Sequence, residues 1–255
     1  MKKETFFDVF TGIYVPLYEM SMPDYDFWRI DEKDPTKLLY EDAYKNLSKG
    51  NIQKGKEQLE LSYKQGIPAA GHILSYGYAA GWFGQKDYDA QIKFLRELVK
   101  SNIFVAMYDL AQAYETGKGV KKNTRLAILW YKKAADGRCA LALTNLAKLF
   151  LFGETKYRNI VKGLVYAFRA ADVGQEYAHN ILGICYEQGI GVIKDFHKAF
   201  VHYKDAIWHY DNGEARANLA RCYRYGIGTD IDMFKAEELE RQAAERGCNS
   251  NDVKL

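Results

Sequence analysis

An alanine, a leucine and an aromatic residue recur along the chain at four-residue steps, with a glycine three residues further on. The copies are Ala70, Leu74, Tyr78, Gly81; Ala106, Leu110, Tyr114, Gly117; Ala142, Leu146, Phe150, Gly153; Ala178, Leu182, Tyr186, Gly189; and Ala215, Leu219, Tyr223, Gly226. Successive copies are 36, 36, 36 and 37 residues apart. Positions i, i+4 and i+8 share one face of an α-helix, so the spacing predicts a helix in every copy. A period of this length is the signature of a repeat architecture, in which each unit buries its face on its neighbour.

The glycine can stop the helix as a C′ residue. A short turn follows, for example Lys118-Gly119-Val120-Lys121-Lys122-Asn123, and Asn123, Asp195 and Asp232 stand where a side-chain oxygen could cap a second helix. That second helix has its own apolar face: Ala127, Trp130, Tyr131 and Ala134 in one copy, Ala199, Tyr203 and Ala206 in another, Ala236, Leu239 and Ala243 in the last. The small alanines predict close helix approach. A further glycine is expected to end each second helix, at Gly66, Gly137, Gly174, Gly213 and Gly247.

The pattern A-x3-L-[GA]-x2-Y-x2-G-x-G-V, followed by K-A and A-A-x-x-G, resembles the Sel-one-like repeat, a relative of the tetratricopeptide repeat. The run Ile181-Leu182-Gly183-Ile184-Cys185-Tyr186-Glu187-Gln188-Gly189-Ile190-Gly191-Val192 carries the likeness most fully, and Lys198-Ala199 and Lys235-Ala236 supply the second-helix signature. The resemblance covers roughly residues 37–248. It implies an all-α fold, a right-handed superhelix (solenoid) of about six two-helix repeats, and a family of interaction scaffolds with varied partners. Some secreted members pair cysteines across each repeat. Here Ala135 and Ala244 stand near the positions that partners of Cys139 and Cys248 would take, so that framework is not expected.

Three stretches depart from the pattern. Residues 37–66 lack the glycine turn and read as a degenerate terminal repeat with a shortened first helix. Ala80-Gly81-Trp82-Phe83-Gly84 puts two aromatics in a turn, where they are expected to be exposed. Gly153-Glu154-Thr155-Lys156-Tyr157 replaces the G-x-G turn. Residues 1–36 form an aromatic-rich segment with Phe6, Phe7, Phe10, Tyr14, Tyr18, Tyr25, Phe27 and Trp28. It is too apolar for an ordinary disordered tail. It reads either as a cap over the first repeat or as an arm that docks a partner. The polar tail is residues 249–255.

Composition narrows the function classes. The chain of 255 residues is 48% apolar and 27% charged, and its 36 basic and 33 acidic residues leave a net charge of only +3. No basic excess points to nucleic acid or to a membrane surface. Glu4 and Asp8 interrupt any apolar signal-peptide core, and no run approaches the ~20 apolar residues a membrane span needs. Cys139, Cys185, Cys222 and Cys248 form no CxxC pair and read as free thiols in a reducing cytoplasm.

No catalytic constellation emerges. Gly117-Lys118-Gly119 belongs to the repeating turn and is no phosphate loop. His197 and His202 are five apart and do not share a helix face; His72, His179 and His209 lie in other copies. No metal or cofactor is expected. The resemblance instead implies that first helices line a concave groove. The residues outside the Ala/Leu/Tyr columns would then face a protein or peptide partner: His72, Tyr76, Tyr108, Gln112, Glu115, Thr144, Lys148, Leu151, Phe152, Asn180, Ile184, Glu187, Gln188, Arg221, Arg224 and Tyr225. Leu151 and Phe152 are adjacent apolar residues that need cover. Arg221 and Arg224 could hold an acidic segment or a C-terminal carboxylate, or could pair internally with Glu187 or Glu214. The expected function is a non-enzymatic protein-binding scaffold. Alternatives are an immunity protein that neutralises a toxin and a hydrolase that uses groove residues such as Glu115 and His72. Oligomeric state is not legible.

Overall fold

The computed structural model describes residues 42–207 and 212–245 apart from 44 and 138, together with residue 248 and the backbones of 5–7 and 14–16. The backbone forms two compact units, Met1–Cys139 and Ala140–Leu255. In the first unit, β1 (Thr5–Phe7) pairs antiparallel with β2 (Tyr14–Pro16). Its other regular elements among the described residues are helices: a short stretch at 45–48, then α1 (Ile52–Lys64), α2 (Pro68–Ala80), α3 (Tyr88–Lys100), α4 (Phe104–Thr116) and α5 (Thr124–Asp136). The second unit holds α6 (Ala140–Phe152), α7 (Ile160–Asp172), α8 (Glu176–Gln188), α9 (Phe196–Asp205), α10 (Gly213–Tyr225) and α11 (Met233–Ala244). The all-α repeat fold expected from the periodicity is therefore present. No helix among the described residues is long and apolar enough to cross a membrane. The cap or docking-arm role expected of residues 1–36 and the polar tail at 249–255 lie outside the described residues.

Each repeat is a helix pair closed by the same turn. α2, α4, α8 and α10 end on Gly81, Gly117, Gly189 and Gly226 in the left-handed region, at φ of 83, 83, 74 and 68°. Only glycine reaches that region without a Cβ penalty. The chain reverses, and the next helix begins with an Asp or Asn whose side chain accepts from an N–H three residues on. Asn123, Asp195 and Asp232 do this as expected, and Asp87 and Asn159 occupy the same column in the other repeats. The cap residue's own N–H donates back to the carbonyl of the column aromatic, at 2.8–2.9 Å: Asp87 to Tyr78, Asn123 to Tyr114, Asn159 to Phe150, Asp195 to Tyr186 and Asp232 to Tyr223. One residue thus caps the second helix and ties it to the first. The tie persists at Gly153, which has no positive φ, so the altered turn there changes its path and keeps its anchor.

The column alanines at 70, 106, 142, 178 and 215 are fully buried, as are Leu74, Leu146 and Leu182. Two expectations need correction. Gly213 opens α10 and does not close a second helix. Trp82 and Phe83 are half-buried: they lie over Gly77, where a Cβ would strike the Phe83 ring, and Phe83 packs on Tyr78 at 5.1 Å between ring centroids. Gly247 lies outside the described residues.

Cys139, Cys185 and Cys222 are buried and Cys248 half-buried, all as free thiols. Burial pushes the Cys185 and Cys222 thiols up to about 12, so neither supplies a thiolate at neutral pH. Thiol quantification under denaturing, non-reducing conditions is expected to find all four; fewer would reveal a disulfide. Leu182→Ala opens a cavity in a fully buried position and is expected to cost roughly 2–5 kcal/mol in a urea titration. A loss within about 0.5 kcal/mol would mean that Leu182 behaves as a surface residue.

Candidate functional site

The first helices that should present a partner surface also have to hold their own second helices, and one position on each does so. In the first unit, Tyr131 on α5 donates to Glu115 on α4 at 2.6 Å. In the second unit, Tyr203 on α9 donates to Glu187 on α8, also at 2.6 Å. The two pairs occupy equivalent positions two repeats apart. In the last repeat the same column holds Arg224, whose guanidinium forks onto both oxygens of Glu240 at 2.9 and 2.7 Å. In the α6/α7 repeat the positions are Leu151 and Ala167, both buried in one apolar cluster. A Cβ on Gly163 would strike the Leu151 side chain, so the missing side chain makes the room that leucine needs.

These pairs correct the expected groove. Leu151 is 3% exposed, and the cover it needs comes from α7 within its own repeat. Glu187 is buried beneath Tyr203 and Arg221. Arg224 is half-buried on Glu240, neither of the partners foreseen. Arg221 does make the internal pair with Glu187, at 2.6 and 2.7 Å.

A second device links neighbouring repeats. His72 Nε2 on α2 lies 2.7 Å from Asp109 on α4. At the equivalent positions in the second unit, Asn218 on α10 donates to the buried Asn180 on α8 at 3.0 Å. Between α6 and α8 the matching residues are Thr144 and Ile181. Isoleucine offers no polar atom, and Thr144 Oγ1 is buried without a hydrogen-bond partner among the described residues. Thr144 and Asn180 are therefore interior residues, against expectation. The two devices merge in the second unit into a chain Tyr203–Glu187–Arg221–Asn218–Asn180 across three helices.

Burial alone would push the Glu187 carboxyl up, but the bonds from Arg221 and Tyr203 outweigh it and hold the group below its usual range. Burial and the carboxylate beside it push the Tyr203 hydroxyl far up.

The remaining candidates reach solvent in part or in full. In the first unit Tyr76 is exposed beside Trp82, and Gln112 is exposed while donating to the Tyr108 hydroxyl at 2.8 Å. In the second unit Lys148, Phe152, Gln188 and Tyr225 are exposed and Ile184 is half-buried. Phe152, Gln188 and Tyr225 share a column, one per repeat. The sequence reading missed two further features. α7 exposes Val161, Val165 and Phe168 at i, i+4 and i+7, at 74%, 52% and 38%, where α3 carries Asp89, Lys93 and Arg96. Comparing the copies position by position would have shown this. Among the described residues one group, His179, His202 and Asp205, has metal-ligand spacing; the expectation that His179 lies in a different copy from His202 is corrected, because α8 and α9 form one helix pair that brings the two rings together.

The matches to known proteins follow the periodicity. The Sel1 repeat model matches residues 105–138, 140–175, 176–207 and 213–248. An uncharacterized protein of Neisseria meningitidis serogroup B is 29% identical over 205 residues, covering 80% of this chain and 42% of that protein. Human protein sel-1 homolog 2 is 30% identical over 126 residues, 47% of this chain and 18% of that protein. The chain thus spans less than half the length of these relatives. Among solved structures, a Sel1 repeat protein from Oxalobacter formigenes is 26% identical with a TM-score of 0.75, over 82% of this chain and 84% of that one. An immunity protein from Pseudomonas aeruginosa shares the fold at 21% identity and a TM-score of 0.57, over 87% and 85% of the two chains.

The network makes a pH prediction. A depressed carboxyl contributes stability that is present above its unfolded pKa and lost as pH falls through its folded one. Parent stability is therefore expected to fall with acidification from about pH 4.5 downward, and Glu187→Gln to flatten that part of the profile. Arg221→Ala, which leaves a buried carboxylate uncompensated, is expected to cost roughly 3 kcal/mol at neutral pH. An unchanged acid profile in Glu187→Gln would assign the acid sensitivity to other groups.

Proposed function

Because the chain belongs to the Sel1 repeat family, whose repeats generally serve as protein-interaction modules, we propose that it is a non-enzymatic scaffold. Its first-helix face in the second unit binds a peptide or an extended segment of a partner protein. The observation that carries this reading is the row Phe152, Gln188 and Tyr225, one residue per repeat, with the two aromatics 38% and 67% exposed. Lys148 and Ile184 flank it. Exposed aromatics with polar neighbours are what protein-binding hot spots use. At 8–10 Å per packed first helix the row reaches roughly 20 Å, a length suited to an extended chain and too long for a small metabolite.

Glu115 and His72, which a hydrolase would have needed, are bonded to different partners, Tyr131 and Asp109. The buried Cys185 and Cys222 thiols, with raised pKa values, are poor nucleophiles. Free thiols favour a reducing compartment such as the cytoplasm. The immunity reading has support at the level of fold, through the Pseudomonas aeruginosa structure. It is the version in which the partner is a toxin, tested by co-purification with the product of a neighbouring gene.

The outer face of α7 is a second candidate surface, favoured by its apolar stripe. Two variants separate the surfaces: Phe152→Ala with Tyr225→Ala, and Val165→Lys with Phe168→Lys. Pull-down from native cells with quantitative mass spectrometry is expected to lose the parent's partner with the first variant and keep it with the second. Melting temperatures should stay near the parent's, since surface truncations usually cost within about 0.5 kcal/mol. Retention by the first variant and loss by the second would move the site to α7; equal capture by both would reject the two surfaces together.

A further inference from the structure

His179 on α8 and His202 on α9 face each other, with Nδ1 atoms 3.1 Å apart. Asp205 Oδ2 lies 3.8 Å from His179 Nδ1, one turn along α9. The three donor atoms lie within 4.8 Å of one another. We propose that His179, His202 and Asp205 form a binding site for a divalent transition metal of the zinc type, with solvent completing the coordination shell.

The donor set fits that class. Imidazole nitrogens and a carboxylate suit Zn²⁺ and its neighbours in the transition series, and three protein ligands with an open position is a common arrangement. Donors about 2.0–2.1 Å from a tetrahedral Zn²⁺ sit roughly 3.3 Å from one another, between the two separations seen here.

Comparison of the repeats gives an independent argument. The position of His179 is Gly71, Met107, Leu143 and Arg216 in the other copies. That of His202 is Phe94, Trp130, Tyr166 and Leu239; that of Asp205 is Glu97, Lys133, Arg169 and Gln242. Only the α8/α9 repeat has metal-binding residue types at all three positions. The equivalent helix–helix contact recurs in the last repeat, where Arg216 donates to Gln242 at 3.2 Å, so the backbone brings these positions together whatever they carry. His202 keeps the stacking role of its column, parallel to Tyr186 with centroids 5.4 Å apart, as Tyr166 stacks on Phe150. That stacking would be served by any aromatic ring, so it does not account for two histidines sharing one point in space.

A metal takes the neutral imidazole, and burial first, then the neighbouring His179, lower the His202 pKa while Asp205 works against them. Without metal one Nδ1–H would donate to the other ring. Lys198 is the opposing charge, and its ammonium turns toward Asp195 at 3.8 Å and the Tyr186 ring at 5.4 Å.

The test uses the full chain stripped with EDTA and titrated with Co²⁺, read by visible absorption, and with Zn²⁺, read by calorimetry. One equivalent is expected to saturate the site, with no thiolate charge-transfer band. His179→Leu, His202→Leu and Asp205→Asn should each weaken binding by more than the ~10–100-fold that loss of an outer-shell partner costs. His179→Leu with His202→Leu, residues that other repeats carry at these positions, should abolish it. The Asp205 side chain is 48% exposed, so its substitution is expected to leave the fold intact and keeps the result readable if a histidine variant fails to fold. A parent that binds neither ion more tightly than the double variant would overturn the assignment, as would a thiolate band or variants that all bind like the parent.

Discussion

Each repeat of this protein is two helices that must stay in register, and a single side-chain pair sixteen residues apart does much of that work. Glu115–Tyr131, Glu187–Tyr203 and Arg224–Glu240 are three polar solutions at one structural position, and Leu151–Ala167 is the apolar one. The turn makes the position reproducible, because the cap residue's N–H is tied to the column aromatic in every one of these repeats. Once the turn fixes the offset between the helices, whatever stands at these two positions meets, and the pair has to be mutually satisfying. The substitutions follow that rule: a buried carboxylate is matched by a hydroxyl, a cation by a carboxylate, and leucine by alanine and an adjacent glycine.

This constraint shapes function by subtraction. Residues used in the pairs cannot also greet a partner without giving up those bonds, and at the buried Glu187 that would leave a carboxylate uncompensated. The links between repeats remove His72, Asn180 and part of Arg221 in the same way. What remains on the first helices of the second unit is a narrow row of exposed side chains. The outer face of α7 is another place where apolar surface is left open, with Val161, Val165 and Phe168 exposed along one stripe.

Much of the fold was legible in the sequence, because it depends on residue types that few alternatives replace. Glycine at positive φ, Asp or Asn at the cap and alanine at close helix contacts recur at a fixed step, and the helices lie where that step puts them. The site was less legible for a physical reason. A helical wheel tells which residues leave the Ala/Leu/Tyr face, but an antiparallel partner covers a second flank of the same helix. Leu151 and Glu187 sit on that flank. Their burial depends on residues sixteen positions later, and the signal was present in the covariation of that pair from repeat to repeat. His179 and His202 were missed likewise, since their meeting is a property of the helix pair and not of either helix.

The most direct test of this account is a double-mutant cycle on Glu187 and Tyr203, with Glu187→Ala, Tyr203→Phe and the double variant unfolded in urea at neutral pH. A hydrogen bond to a buried carboxylate predicts a coupling energy of at least about 1 kcal/mol, so that the double variant loses less than the two single losses combined. Losses that add to within about 0.3–0.5 kcal/mol would show the two residues to be energetically independent. That result would contradict the claim that paired positions lock each repeat and define the surface left for a partner.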